Sequence, residues 1–511
     1  MTDAGPRRGA RVSSGPVVAP LPPSPVVRPV ALSAVAEAVA GARLRGDAAT
    51  QVREVGFDSH RVVTGSLFFC VPGANVDGHA FADDARRGGA AALVVERWLE
   101  PIDLPQILVP SVRTAMGPMS AAVFGHPAEA MTMAGVTGTN GKTTTTYLLE
   151  SIFEAAGKRS GVVGTTGARV AGAPVPLDRT TPEAPDLHRL LARMRDAGVR
   201  AVAMEVSSHA LEQHRVSGVV FDAAIFTNLS QDHLDYHPSM EAYFAAKARL
   251  FTPAHADRGV INADDPYGLR LLEAATIPMS SFAIEHEADL QAEAVSVDVG
   301  GTSFEAGGLA VRTQLRGGFN VANCLGALAA ARVLGMDDAV AVQGIGAVHG
   351  VPGRLEPIEA GQNFLVMVDY AHTPDSILSV LKAARPLTSG RLIVVFGCGG
   401  DRDHAKRPLM GSAATANADL TIITSDNPRS EDPLAIIAAI EPGAREGGGP
   451  FAVEPDRRAA IERAIGEARD GDVVVIAGKG HEPYQEVGDA TIAFDDRDVA
   501  RATLLARRGA S

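Results

Sequence analysis

Short apolar runs recur along the chain, each followed by a polar, often Gly-containing turn and then a longer stretch of helical character. "MTMAGV", "RSGVVGTT", "VRAVAMEVSS", "FDAAIFTNLS" and "RGVINADD" read as buried strands. "TGTNGK" reads as a loop, and "TTTTYLLESIFEAAG" as a helix closed by Gly157. Strands alternating with helices predict a mainly parallel sheet covered by helices. Residues 281–317 break the rhythm; Gly-punctuated and β-prone, they predict a small antiparallel insert. "NVANCLGALAAARVLG" is then a helix and "HGVPGRLEPI" a hinge. After the hinge, "NFLVMVDY", "RLIVVFGCGG", "ADLTIITSDNP" and "GDVVVIAGKGHE" form a second α/β series. Upstream, "GSLFFCVPG" and "AAALVVE" are shorter strand-like runs. The expected fold is α/β in three domains, at 28–130, 131–350 and 351–511, after an arm at 1–27.

Composition narrows this picture. The 511 residues suit three domains at roughly 150 residues each. No apolar run approaches the ~18 residues that span a bilayer. The arm is rich in Pro, Gly and Ser and lacks the apolar core of a secretory signal, so it is expected to be disordered. Cys70, Cys324 and Cys398 are too scattered for a disulfide framework or a zinc site, which points to a reducing, cytoplasmic setting. A net charge of −13 excludes a broad nucleic-acid surface. An anionic substrate must therefore be held by loop amides, metal ions and single Arg residues.

The candidate for such a site is "GVTGTNGKTTTT". Five residues, Val136 to Asn140, separate Gly135 from Gly141, one more than the common phosphate loop allows. Even so, strand, Gly-Lys-Thr and helix occur in the right order. Gly138 and Gly141 let backbone amides approach phosphate oxygens, Lys142 can reach the β- and γ-phosphates, and the Thr143 hydroxyl suits Mg²⁺. Glu205 ends an apolar strand, at the sheet edge where open α/β folds place ligands, and a carboxylate suits Mg²⁺. His233 follows the next strand. "MEAYFAAKARLF" reads as an amphipathic helix, and composition alone makes its Lys247 a solvated surface residue.

"GTNGKT", "MEVSSHALEQHRV", "NLSQDHLDYH" and "YFAAKARLF", in this order, closely resemble the Mur ligases of peptidoglycan synthesis. Their loop has the form Gly-Thr-x-Gly-Lys, so the apparent misfit is the family's own version. The resemblance covers nearly the whole chain from about residue 28. It implies an ATP-dependent amide-forming ligase with a UDP-binding N-terminal domain, a central ATPase and a Rossmann-like C-terminal domain. It implies that Gly138, Thr139, Asn140, Gly141, Lys142, Thr143 and Thr144 hold ATP, with Asn320 and Asn323 near its adenine and ribose. It places Thr143, Glu205 and His233 at Mg²⁺, and makes Lys247 a CO₂-modified carbamate (N6-carboxylysine) that joins them. Lys142, Lys247, Glu205 and His233 would be the catalytic group.

Further motifs resemble the family members that add the third amino acid. Thr180 and Thr181 in "RTTPEAPDL", with Ser207, Gln213 and Arg215 in "SSHALEQHR", resemble contacts to UDP-N-acetylmuramoyl-L-alanyl-D-glutamate. "FDSHRVV" resembles the uridine motif: Asp58 and Ser59 are kept, while His60 stands where Arg is usual and Arg61 follows. In the last domain, Arg402, then Asp426, Asn427, Pro428 and Arg429, then Gly478, Lys479, His481 and Glu482 all follow strand ends and can converge at one sheet edge. Asp-Asn-Pro-Arg resembles the signature of members that add meso-2,6-diaminopimelate; lysine-adding relatives lack the Arg. Arg429 and Arg402 would pair with the distal carboxylate and Glu482 with its ammonium. His372 and Asp369 in "DYAHTPD" are candidates for orienting that end. A monomer with no nucleic-acid partner is expected. The alternatives are a lysine-adding ligase, a folylpolyglutamate synthetase-like ligase and a non-enzymatic ATP-binding switch.

Overall fold

A computed structural model describes residues 25, 27–73, 76–298 and 300–509, so the expected disordered arm lies almost wholly outside the described residues. Three main sheets follow one another along the chain. The first has five strands in the order Arg43–Arg45, Gln106–Leu108, Ala90–Val95, Ser66–Phe69, Glu54–Gly56, parallel except at the Arg43–Arg45 edge.

The central sheet has eleven strands, and its middle runs Ser160–Gly164, Ala201–Glu205, Thr132–Thr137, Ala223–Phe226, Gly259–Asn262, Met279–Ala283, all parallel. Every residue of Ala201–Glu205, Ala223–Phe226 and Gly259–Asn262 is buried, because helices cover both faces. One apolar core therefore lies on each side of the sheet.

The expected small antiparallel insert is present, and it joins the central sheet. Leu290–Asp298 pairs in parallel with Met279–Ala283, and Gly301–Ala306 and Leu309–Thr313 continue antiparallel from it. These strands extend the central sheet, because open edge amides and carbonyls recruit a neighbouring strand. Gly punctuation marks the turns but carries no information about the sheet to which they belong.

The last sheet runs Glu356–Pro357, Leu365–Asp369, Val473–Ala477, Leu392–Phe396, Leu420–Ile423, Phe451–Val453, parallel after its first pair. Asp369 lies opposite Ala477 and Phe396 opposite Ile423, so the loops after these strands leave the sheet side by side.

The first unit meets the second where helix Val112–Val123 packs on helix Ala184–Asp196. A Cβ on Gly117 would lie 2.1 Å from the Ser217 carbonyl oxygen, so only Gly allows this approach. Beneath the contact, fully buried His188 donates from Nε2 to the Ser217 carbonyl at 3.0 Å, while its Nδ1 has no partner among the described residues. Burial pulls this imidazole from 6.5 down to about 4. Folding therefore excludes a proton that the unfolded chain takes up below pH 6.5, and stability falls as the pH drops from about 6.5 toward 4. His188→Gln, which keeps an N–H donor, is expected to lose ~2–3 kcal/mol less than wild type between pH 7 and pH 4.5 in urea unfolding. Equal losses would assign the acid sensitivity elsewhere.

Candidate active site

The phosphate-loop motif leaves strand Thr132–Thr137 and enters helix Lys142–Ala155. Gly135 lies within the strand, where a Cβ would meet the Phe221 ring at 2.9 Å; it belongs to the packing and not to the loop. The loop glycines are Gly138 and Gly141, with φ of +148° and +87°. A Cβ at Gly138 would lie 1.9 Å from Thr227 Oγ1, and one at Gly141 would lie 2.4 Å from Asn323 Oδ1. The end of the adjacent strand braces the loop. Thr227 Oγ1 donates to the Asn140 carbonyl at 2.6 Å, and Asn228 Oδ1 accepts from the Asn140 amide at 2.9 Å.

Lys142 Nζ folds back to donate to the carbonyls of Gly138 and Thr139, both at 2.8 Å. Lys247 donates to the same Gly138 carbonyl at 2.9 Å and is 1% exposed, so the surface position expected from composition is overturned. Helix Met240–Ala248 buries Tyr243, Ala246 and Lys247 together, and the Tyr243 ring lies 4.6 Å beneath the ammonium. Burial first, and the neighbouring Lys142 ammonium second, hold the Lys247 amine well below the usual lysine range. An amine in that state is a nucleophile at neutral pH.

Glu205 is 1% exposed and accepts only from neutral donors among the described residues, the Thr165 amide and hydroxyl, both at 2.9 Å. A buried carboxylate with no direct ion pair among the described residues, and only the nearby Lys142 charge acting on it, fits a divalent cation where it faces the cavity. His233, at φ +55°, is drawn down by burial to about 3 and is therefore a neutral imidazole. Among the described residues no three His, Cys, Asp or Glu side chains gather into a metal cage.

One cavity of about 850 Å³ collects the phosphate loop from Thr139 to Thr144 with Thr180, Thr181, Glu205, Ser207, Arg215, His233, Lys247, Asn323, Asp369, His372 and Arg402. Asn320 stands behind it, its Oδ1 accepting from Asn323 Nδ2 at 2.9 Å. Gln213 Oε1 accepts from Arg215 at 2.6 Å. Thr181 Oγ1 donates to the Glu205 carbonyl at 2.9 Å, tying the two motifs together.

Ser59 does not line this cavity. It sits in the first unit on a turn where Asp58 accepts from the His60 amide, and both His60 and Arg61 are exposed. The remaining candidates form a second cluster beside the cavity. Asp426 lies 4.0 Å from Arg457, and Pro428 and Gly478 are buried. Arg429 and Glu482, expected to face the amino acid, also have partners within the chain. Arg429 Nε pairs with Glu486 at 2.8 Å and its Nη1 donates to the Gly400 carbonyl, while Glu482 Oε2 is shared by Lys479 and Asn427. Charges buried near one another pair within the protein, and residue type cannot reveal this in advance.

The family model for the Mur ligase middle domain matches residues 136–331, that for the glutamate ligase domain residues 353–480, and that for the catalytic domain residues 51–124. The UDP-N-acetylmuramoyl-L-alanyl-D-glutamate--2,6-diaminopimelate ligase of Geobacillus thermodenitrificans is 47% identical over 88% of this chain and 94% of its own length. The chain belongs to the Mur ligase family. A solved structure of a ligase of that same name is similar at 34% identity, with a TM-score of 0.68 over 94% of this chain and 100% of its own. Mycobacterium tuberculosis folylpolyglutamate synthase, solved with ADP and AMPPCP, shares the fold at 19% identity and a TM-score of 0.60, over 77% of this chain and 94% of its own.

Sequence reading of this Mur ligase missed Arg354, which lies in the segment taken only as a hinge. Its guanidinium donates to Thr143 Oγ1 at 2.9 Å and lies 4.8 Å over the Tyr370 ring, joining the loop to the last unit. Asp375 accepts from Asn140 at 3.2 Å, and His481 bonds the Thr165 carbonyl at 3.1 Å, across the same junction. An Arg within a Pro-Gly hinge is a faint signal, since only folding brings it to the loop.

Proposed function

We propose that this Mur ligase joins meso-2,6-diaminopimelate to UDP-N-acetylmuramoyl-L-alanyl-D-glutamate, with ATP turnover and an acyl-phosphate intermediate, in cytoplasmic peptidoglycan precursor synthesis. The observation that carries the reading is the single cavity joining a phosphate loop, a buried Lys247 whose amine is held well below the usual lysine range, and Glu205 and Arg402, which have no ion-pair partner among the described residues. The names of the relatives at over 40% identity support the same substrates.

Residues 138–144 hold the triphosphate, with Lys142 released from its own loop carbonyls to face it; Asn323, set by Asn320, lies toward the nucleoside. Thr143, Glu205 and His233 would hold Mg²⁺, which when bound offsets charge on the transferring phosphoryl group. The neutral Lys247 amine attacks CO₂; an N–C bond forms and one N–H proton leaves, giving a carbamate. A neutral amine crowded against Lys142 thereby becomes an anion suited to the metal, its proton passing to solvent. Thr180, Thr181, Ser207, Gln213 and Arg215 orient the dipeptide, and Ser59 meets the uridine. The D-glutamyl carboxylate oxygen bonds the γ-phosphorus and ADP leaves; the neutral diaminopimelate amine then attacks the acyl carbon, phosphate leaves and the amine loses a proton to give the amide. Arg402, Arg429, Asp426, Asn427, Pro428, Gly478 and Glu482 hold the amino acid's far end.

Phosphate release is expected only when the UDP-muramoyl dipeptide, diaminopimelate, ATP and Mg²⁺ are all present. Turnover with a folate in place of the dipeptide, or with lysine in place of diaminopimelate, would overturn the substrate assignment.

A further inference from the structure

Lys479 is 0% exposed, and its Nζ lies between two side chains of the amino-acid cluster. It donates to Asn427 Oδ1 at 2.9 Å and to Glu482 Oε2 at 3.1 Å, and the Tyr484 ring lies 5.5 Å away. Asn427 Oδ1 also accepts from the Glu486 amide at 3.0 Å, while Asn427 Nδ2 donates to Glu482 Oε2 at 3.0 Å. Two donors face the amide oxygen and an acceptor faces the amide nitrogen, so the Asn427 amide has one permitted orientation. A flip would set an NH₂ group against an ammonium and an N–H.

The loop leaves Lys479 no other place. Gly478 and Gly480, at φ +116° and +54°, flank it. A Cβ on Gly478 would lie 2.4 Å from Asp426 Oδ2, and one on Gly480 would lie 2.7 Å from Tyr370 Cβ. A second buried cation, Arg457, holds the backbone of the same two loops. It donates to the Ser425 and Ala477 carbonyls at 3.2 and 2.9 Å and grips Asp496 at 2.8 and 2.6 Å. Arg457 thus ties main chain to main chain, whereas Lys479 ties side chain to side chain.

We propose that Lys479 is a positioning residue for amino-acid selection, its buried ammonium fixing which way the Asn427 amide and the Glu482 carboxylate face. With Oε2 of Glu482 accepting from both Lys479 and Asn427, the oxygen left to receive a substrate ammonium is Oε1, whose one hydrogen-bond partner among the described residues is the Tyr370 hydroxyl at 3.5 Å. Loss of the Lys479 charge releases both groups, and the amino-acid pocket loses its set geometry while the phosphate loop is untouched. This inference rests on the diaminopimelate-adding reading above.

The test is steady-state kinetics of Lys479→Met and Lys479→Gln in the full chain, after turnover of diaminopimelate by the wild type has been measured in the same assay. Lys479→Met is expected to raise KM for diaminopimelate at least tenfold, with KM for ATP and for the UDP-muramoyl dipeptide within twofold of wild type. Lys479→Gln, which keeps two N–H donors without the charge, is expected to fall between the two, at threefold or more. A diaminopimelate KM within twofold of wild type in Lys479→Met, or three KM values rising in parallel, would overturn the positioning role. If Lys479→Met does not fold, Lys479→Gln decides by its threefold criterion. Absence of wild-type turnover with diaminopimelate would overturn the reading of the reaction and this inference with it; turnover with unmoved KM values overturns Lys479 alone.

Discussion

Lys247→Ala is expected to lower ligation on the order of 10²–10³-fold or more, the scale of removing one placed charge from a water-poor reacting site. A short-chain carboxylate such as acetate is expected to restore part of that rate. Two amines crowd one carbonyl: Lys142 and Lys247 both donate to Gly138, at 2.8 and 2.9 Å. Burial and this like charge shift the Lys247 amine toward its neutral form, the form that captures CO₂. Carbamate formation then exchanges repulsion for an anion beside the proposed metal. Alanine at 247 removes the amine and leaves a space into which a small carboxylate can diffuse. Rescue separates this role from packing, because acetate cannot mend a misfolded helix. Near-wild-type activity of the untreated variant would remove Lys247 from the mechanism.

The second large effect concerns the choice of diaminopimelate over lysine, which differ by the carboxylate at the far end. Truncating one partner of a buried, hydrogen-bonded charge pair costs roughly 2–5 kcal/mol, on the order of 30- to 3,000-fold, and the lower end is expected for Arg402, which is exposed. The structure divides the burden unequally. Arg402 lines the cavity and has no ion-pair partner among the described residues, so its whole charge is available. Arg429 is already engaged by Glu486 at 2.8 Å, and its removal also leaves that carboxylate unpaired. Arg402→Ala and Arg429→Ala are both expected to raise KM for diaminopimelate and narrow its advantage over lysine, with KM for ATP unchanged. Competition between the two amino acids in the ligation assay reads the ratio. A wild-type preference for lysine would refute the specificity while leaving the ligase chemistry intact.

The order of strands and helices was legible from the chain because strands such as Ala201–Glu205 are buried on both faces and so read as unbroken apolar runs. The phosphate loop was legible as well, since Gly138 and Gly141 are demanded by local φ and close approach. The ends of strands placed Glu205 and the Asp426–Arg429 turn at sheet edges, because position along a parallel strand is itself a statement about the edge. Tertiary structure alone decided the rest. Lys247 looks like any helix-surface lysine until the helix docks on Gly138. Residues 290–313 look like a separate hairpin until their first strand pairs with Met279–Ala283. Arg354 looks like a linker residue until it meets Thr143, 211 positions away in the chain. Arg429 and Glu482 look like free charges until Glu486 and Lys479 claim them. Local patterning records what each segment must bury, whereas pairing between distant charges and sheet edges depends on which surfaces folding brings together.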